Sequence, residues 1–184
     1  MKYCLFLFAF AAAAAAAGAE DGPLLFFRDE NKKYGYINIK NEIVIPARFE
    51  NTSGFHDGLA AVALGGKYGF INGKGEIVIE PKFDFVWRFD EGLAPFRAGK
   101  LWGYIDKTGR VVIEPQYEAA ERFSDGLAAV KKNGLYGFVD RAGKLVIPHR
   151  YEKATPFRDG VCQVHWRGKH IWLYRDGREI RVLD

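Results

Sequence analysis

Cysteine is nearly missing: of 184 residues only Cys4 and Cys162 carry a thiol. Cys4 falls in an N-terminal segment that reads as removed on export, so no internal disulfide can staple the remainder, which must rest on its own packing. Cys162 sits within the apolar run Val161 to Val164, which predicts a buried, unreactive thiol. A charge excess of one sign is also missing, with 27 Lys and Arg against 23 Asp and Glu and a net +4. Nucleic-acid binders concentrate far more positive charge, so a nucleic-acid partner is not expected. No glycine loop precedes a helix to cradle phosphate, and no nucleophile motif comes with a plausible base. The four histidines, His56, His149, His165 and His170, have no zinc spacing. Neither catalytic residues nor a cofactor or metal is expected.

Only one long apolar run exists, from Leu5 to Ala17, preceded by Lys2 and followed by the small residues Ala17, Gly18 and Ala19. That pattern predicts a signal peptide over residues 1–19, cleaved after Ala19, and export to the periplasm or the cell exterior. Retention as a membrane anchor is the alternative, although the run is shorter than the roughly 20 apolar residues a span needs. No later segment could cross a membrane as a helix, and residues 20–184 read as a single repeat domain.

What the sequence has is a period. Gly35, Gly69, Gly103 and Gly137 recur at one spacing, as do Phe49, Phe83, Tyr117 and Tyr151, then Phe55, Phe89, Phe123 and Phe157, then Gly58, Gly92, Gly126 and Gly160. A repeat of about 34 residues also describes helical tetratricopeptide units, so local chemistry must decide. Tyr68 to Asn72 is followed by the turn Gly73-Lys74-Gly75 and the β-branched run Ile77 to Ile79 before Pro81, which predicts a β-hairpin ended by proline. A third run, such as Leu127 to Val130, makes a second hairpin with the next. Naming these runs C, A and B in chain order gives an all-β tandem array of five three-stranded antiparallel meander units: 25–58, 59–92, 93–126, 127–160 and 161–184. In this alignment Leu25 matches Leu59. The fifth unit has Ile171 where the others have glycine. An open curved array is expected, with a closed propeller-like ring as the alternative.

Between units lie connectors of about a dozen residues with aromatic, small, aromatic and acid-glycine positions, seen as Tyr117, Ala120, Phe123 and Asp125-Gly126. The aromatics are expected to anchor the connector by burial. The B strand is apolar on both faces (Val111, Val112, Ile113), so the connector is expected to cover one of them.

The stretch Leu101-Trp102-Gly103-Tyr104-Ile105-Asp106-Lys107-Thr108-Gly109-Arg110-Val111-Val112-Ile113-Glu114-Pro115-Gln116-Tyr117, continued by Phe123 to Val130, closely resembles the bacterial WG-containing repeat. The resemblance covers nearly all of the chain after residue 19, although only Trp102-Gly103 is a literal Trp-Gly pair and Tyr34, Tyr68 and Tyr136 replace the tryptophan. It implies an exported or surface-associated scaffold and brings no catalytic residues.

Acids before glycine, Asp57, Glu91, Asp125 and Asp159, recur in every copy and read as turn formers satisfying local donors. Asp106 and Asp140 read likewise. Departures from the repeat carry more functional information: Trp87, Arg88 and Arg97, then Gln163, His165 and Trp166. The C-to-A turns and B-strand ends should share a basic rim that includes Lys100, Lys131, Lys132 and Arg167. These residues form the candidate binding surface, for a protein or, alternatively, for a carbohydrate or anionic envelope polymer. An enzyme with a cryptic site is the third reading.

Overall fold

The computed structural model describes residues 22–180, and every regular element in it is a β-strand. The expected signal peptide and the end of the last B strand, Arg181 and Val182, lie outside the described residues. Two compact units divide at Asp84 and Phe85.

The first unit holds two antiparallel sheets. One is the meander β1 (Leu25–Arg28), β2 (Tyr34–Ile37) and β3 (Ile43–Phe49). The other orders β4 (Asn51–Thr52), β5 (Ala60–Leu64), β6 (Lys67–Ile71) and β7 (Ile77–Phe83). The second unit holds three sheets of the latter kind: β8 (Phe85–Val86) to β11 (Val111–Tyr117), with β9 (Leu93–Ala98) and β10 (Leu101–Asp106) between; β12 (Ala119–Ala120) to β15 (Leu145–Tyr151), with β13 (Leu127–Lys132) and β14 (Leu135–Asp140); and β16 (Lys153–Ala154) to β19 (Glu179–Ile180), with β17 (Val161–Trp166) and β18 (Lys169–Tyr174). The fold is thus the expected tandem array of small antiparallel sheets, and no sheet closes into a barrel.

Four of the five meanders gain one strand where the sequence predicts loop. The first residues of a connector pair with the next C strand, Asn51 with Ala63 and Thr52 with Val62 in the first unit, Phe85 with Arg97 and Val86 with Phe96 in the second. Two-residue strands carry too little periodicity to announce themselves.

The B strands do not stop at proline. β7 runs through Pro81 to Phe83 and β11 through Pro115 to Tyr117. They can do so because each is a sheet edge, where a missing N–H costs no ladder bond. The register shifts nearby, between Trp102 and Tyr104 and again before Ile105, and this bulge swings the B strand across the repeat glycine. A Cβ on Gly103 would stand 2.3 Å from the Ile113 carbonyl oxygen, and one on Gly69 would stand 2.3 Å from that of Ile79. Here glycine is needed for close approach of two backbones. In the fifth copy Ile171 stands in that place; Trp172 pairs with Ile180 and Leu173 with Glu179, and the residues that would cross it lie outside the described ones.

The core is aromatic. Tyr36, Phe70, Tyr104 and Phe138, one in each of the first four A strands, are fully buried, while Trp172 of the fifth is exposed. The connector rings Phe55, Phe123 and Phe157 stand 4.9 Å from Tyr36, Tyr104 and Phe138. Edge-on or tilted contacts of this kind suit ring quadrupoles, and each buried ring contributes roughly 1.5–3 kcal/mol. The Tyr104 hydroxyl donates to the Glu121 carbonyl at 2.6 Å, tying the connector to the A strand, and burial raises the phenol's pKa.

Cores run from one copy into the next. One cluster joins Tyr104, Ile113 and Phe123 to Ala128, Val130 and Val139 of the following copy; another joins Phe138, Ile147 and Phe157 to Cys162, Val164 and Leu173. Within each unit the third residue of a B strand reaches under the next A-to-B turn: Ile45 lies beneath Gly75, Ile113 beneath Gly143 and Ile147 beneath Gly177. Only this residue is covered. Val111 is exposed and Val112 half-buried, and Ile43, Val44, Ile77 and Val78 are exposed, so the expectation of a B strand covered on both faces fails at its first two positions.

The first copy is also offset. Gly35 pairs with Phe27, whereas Gly69 pairs with Val62, so Leu24, buried like Leu59, takes that leucine's place and Leu25 sits one residue further along. The first C-to-A turn holds the extra residue, closing through the Asp29 amide to the Lys33 carbonyl at 2.9 Å.

Candidate functional site

Two of the four recurrent acids before glycine bond across copies. The Glu91 carboxylate accepts the Gly126 amide at 3.0 Å, and that of Asp125 accepts the Gly160 amide at 2.8 Å. Each acid thus bonds the turn of the following copy, not the local donors expected. Its own backbone is left-handed, with φ of 53° at both Glu91 and Asp125. Ser124 adds a 2.6 Å bond from its hydroxyl to the Phe157 carbonyl.

A second acid series had no assigned role in the sequence. Glu50 accepts the Gly66 amide at 2.8 Å and that of Gly65 at 3.2 Å, Glu118 accepts the Gly134 amide at 3.1 Å, and Glu152 accepts the Arg167 amide at 3.0 Å. Each caps the following C-to-A turn. The Gly66 amide bond, helped by Gly65 and Lys33, holds the Glu50 carboxyl below its ordinary range. The spacing of these acids signals them, since Glu50, Asp84, Glu118 and Glu152 share the repeat period.

Asp106 behaves as a turn former should: it accepts the Thr108 hydroxyl at 2.6 Å, the Thr108 amide at 2.9 Å and the Arg110 amide at 3.1 Å. The Thr108 hydroxyl bond leads in lowering its pKa. Asp140 accepts the Ala142 and Lys144 amides in the same way.

Copy-specific side chains gather where the C and A strands meet the incoming short strand, all within the second unit. Trp87 is 53% exposed and sets its ring against Phe85 at 5.3 Å; Phe85 in turn meets Trp102 at 5.9 Å. The Arg97 guanidinium lies 5.8 Å from the Phe85 ring and 6.0 Å from that of Trp102. Trp87 and Arg97 are therefore neighbours, joined by two rings the sequence reading passed over. Phe85 lies on a strand that reading missed, and Trp102 occupies a repeat position. Arg88 is turned to Asp90 in a 2.9 Å ion pair, while Lys100 is exposed in the β9–β10 turn.

On the next sheet Lys131 stands 5.6 Å above Tyr136, and Lys132 donates to the Gln116 side chain at 3.2 Å. On the last sheet Arg167 stacks 4.6 Å from Trp166, with Arg150 at 5.9 Å, while the His165 Nδ1 meets Glu152 at 2.8 Å and the His165 and His170 rings are 4.9 Å apart. Gln163 is tied through its backbone to Thr155. Thus C-strand residues Arg97, Lys131 and His165 occupy one repeat position and face A-strand rings Trp102, Tyr136 and His170. Among the described residues no group of three or more His, Cys, Asp or Glu is placed to hold a metal ion. Burial pushes the Cys162 thiol up to about 12.

Two solved structures are similar over most of the chain. A protein of unknown function from Bacteroides caccae matches at 13% identity and TM-score 0.38, over 86% of this chain and 76% of its own. The WD40 beta propeller domain of Doa1 matches at 12% identity and TM-score 0.41, over 87% of this chain and 65% of its own. No curated protein matches. The WG containing repeat matches four times in succession, over residues 34–68, 68–102, 102–136 and 136–164. With the glycine crossing, the aromatic A strand and the acid-glycine turn recurring through those spans, this chain belongs to the WG-containing repeat family.

Proposed function

We propose that this protein is a non-catalytic scaffold acting outside the cytoplasm, where it holds another protein through the copy-specific aromatic and basic side chains of its second unit. One observation carries the reading: Glu91 and Asp125 are engaged in bonds between copies, while exposed Trp87 and Arg97 join half-buried Phe85 and the repeat ring Trp102 in an aromatic and cationic cluster found in no other copy. Flat aromatics beside arginine supply the chemistry of binding hot spots. Export rests on the Leu5 to Ala17 run and its small-residue end.

Carbohydrate binding is the second reading, favoured by the 53% exposure of Trp87, because an indole face also stacks on a sugar ring. A photo-crosslinking residue at Lys100, beside the cluster, separates the two in cells that make the protein. A discrete polypeptide adduct that is lost in Trp87→Ala supports the protein partner. Crosslinking to polysaccharide alone, with saturable glycan binding by the purified protein, overturns it in favour of the carbohydrate.

A further inference from the structure

We propose that the outer edge of β1 is a docking site for an extended segment of another polypeptide, one carrying an acid followed by alternating aromatic and aliphatic residues, which adds to the first sheet as a fourth, antiparallel strand. The site lies in the first unit, on a different sheet from the Trp87 and Trp166 clusters, so it goes beyond the scaffold reading and can fail without it.

Four of the five sheets show what covers a C strand. β4 lies on β5, β8 on β9, β12 on β13 and β16 on β17. Their ladders repeat: the Ser53 amide donates to the Ala61 carbonyl at 3.0 Å, Trp87 to Pro95 at 2.9 Å, Glu121 to Ala129 at 2.9 Å and Thr155 to Gln163 at 2.9 Å. The first sheet has three strands with β1 at its edge, and among the described residues nothing pairs with the outer side of β1. Because Phe27 faces Gly35 as Phe96 faces Gly103, the carbonyl matching that of Pro95 belongs to Phe26.

The side chains match as well as the backbone. Leu24, Phe27, Arg28 and Tyr34 stand where Leu93, Phe96, Arg97 and Trp102 stand in the third sheet. The Arg28 guanidinium lies 5.4 Å from the Tyr34 ring centroid, as Arg97 lies over Trp102. In the third sheet the added strand brings Phe85 against that pair; in the first sheet the second ring is Phe26 of β1 itself, edge-on to Tyr34 at 6.2 Å, and no added strand supplies one. Exposure follows: the residues matching Leu25 to Phe27 are all buried in β5, β9 and β13, and in β17 only Gln163 is half-buried, whereas β1 reads half-buried, exposed and half-buried, with Phe26 at 42%. An apolar edge left open in this way is a template for strand addition.

No described segment of this chain is left over to cover β1, and the occupant proposed is another polypeptide. The four connectors of this chain that supply such strands are each paired within their own sheets. A repeat length ahead of β4 lie Ala17 and Gly18, in the segment expected to be removed on export. The acid in the motif follows from the other copies, where Glu50, Glu118 and Glu152 cap the C-to-A turn. The first such turn presents Lys32 beside Arg28, while the Lys33 ammonium lies 3.8 Å from Glu50, Asp29 already accepts the Lys33 amide at 2.7 Å and Glu30 is exposed.

The test titrates a fluorescent peptide copying Phe83 to Asp90 into the purified protein and reads anisotropy. Saturable binding is expected, weakened at least tenfold when the peptide residue copying Trp87 is N-methylated and at least fivefold in Arg28→Glu. N-methylation removes the ladder donor without touching the protein's own fold, so it remains decisive if Arg28→Glu misfolds. Absence of binding, or binding indifferent to N-methylation, overturns the proposal. So does a dimer of this chain, seen by light scattering, that competes with the peptide, since the occupant would then be a second copy.

Discussion

Gly103 is a glycine because a carbonyl oxygen passes where its side chain would be, and the Ile113 oxygen at 2.3 Å from a built Cβ leaves no slack. Gly103→Ala must separate β10 from β11, and a loss of about 1–3 kcal/mol or more is expected from overpacking, read as a lower urea midpoint. Cys162 makes the opposite kind of claim. Its thiol, pushed up to about 12 by burial, stays protonated through the neutral range, so iodoacetamide at pH 8 should leave the folded protein unmodified and label it only in denaturant. Glu50 and Asp106 give the sign of the acid response. Hydrogen bonds hold both carboxyls below their ordinary values, so what they add to stability is present above the usual carboxylate range and is lost as pH falls through and below it. Glu50→Gln should flatten that acid limb, measured as urea midpoint against pH.

At the scale of elements, the hairpins and the connector anchors were legible because both announce themselves through period: Gly35 and its successors mark one backbone crossing each, and Phe55, Phe123 and Phe157 reach the buried rings that their spacing implied. The short strands were not legible, since a two-residue ladder has no alternation to read, and with them Phe85 escaped notice as part of the Trp87 cluster. Proline misled for a physical reason: Pro81 and Pro115 would end an interior strand but are tolerated on an edge. Edge position also sets dynamics. Amides at Val111 and Val112 should exchange with solvent much faster than those of Tyr104 and Ile105 in the neighbouring interior strand, as hydrogen exchange can resolve. Phe123→Ala, which removes a ring packed on Tyr104 and shared with the next copy's core, should cost about 3–5 kcal/mol.

Across the whole molecule the same division recurs between what repeats and what does not. Side chains present in every copy close rings, turns and copy-to-copy bonds, and such nearest-neighbour terms are how a repeat protein accumulates stability. The side chains that differ, Trp87, Arg97, Trp166 and Arg167, lie at the outer ends of the C and A strands or on the short strand beside them, where function is proposed to reside. Sequence could separate the two groups by counting, but it could not show that Asp125 reaches into the next copy, because that bond spans 35 residues. The most direct measurement sets one member of each group side by side: Trp87→Ala and Asp125→Ala, each assayed for its urea midpoint and for the polypeptide adduct formed from a photo-crosslinker at Lys100. The account predicts that Trp87→Ala loses the adduct and keeps its midpoint, while Asp125→Ala keeps the adduct with a midpoint lowered by the equivalent of about 1 kcal/mol. The reverse pattern, with the adduct lost at unchanged stability in Asp125→Ala and retained in Trp87→Ala, would contradict it.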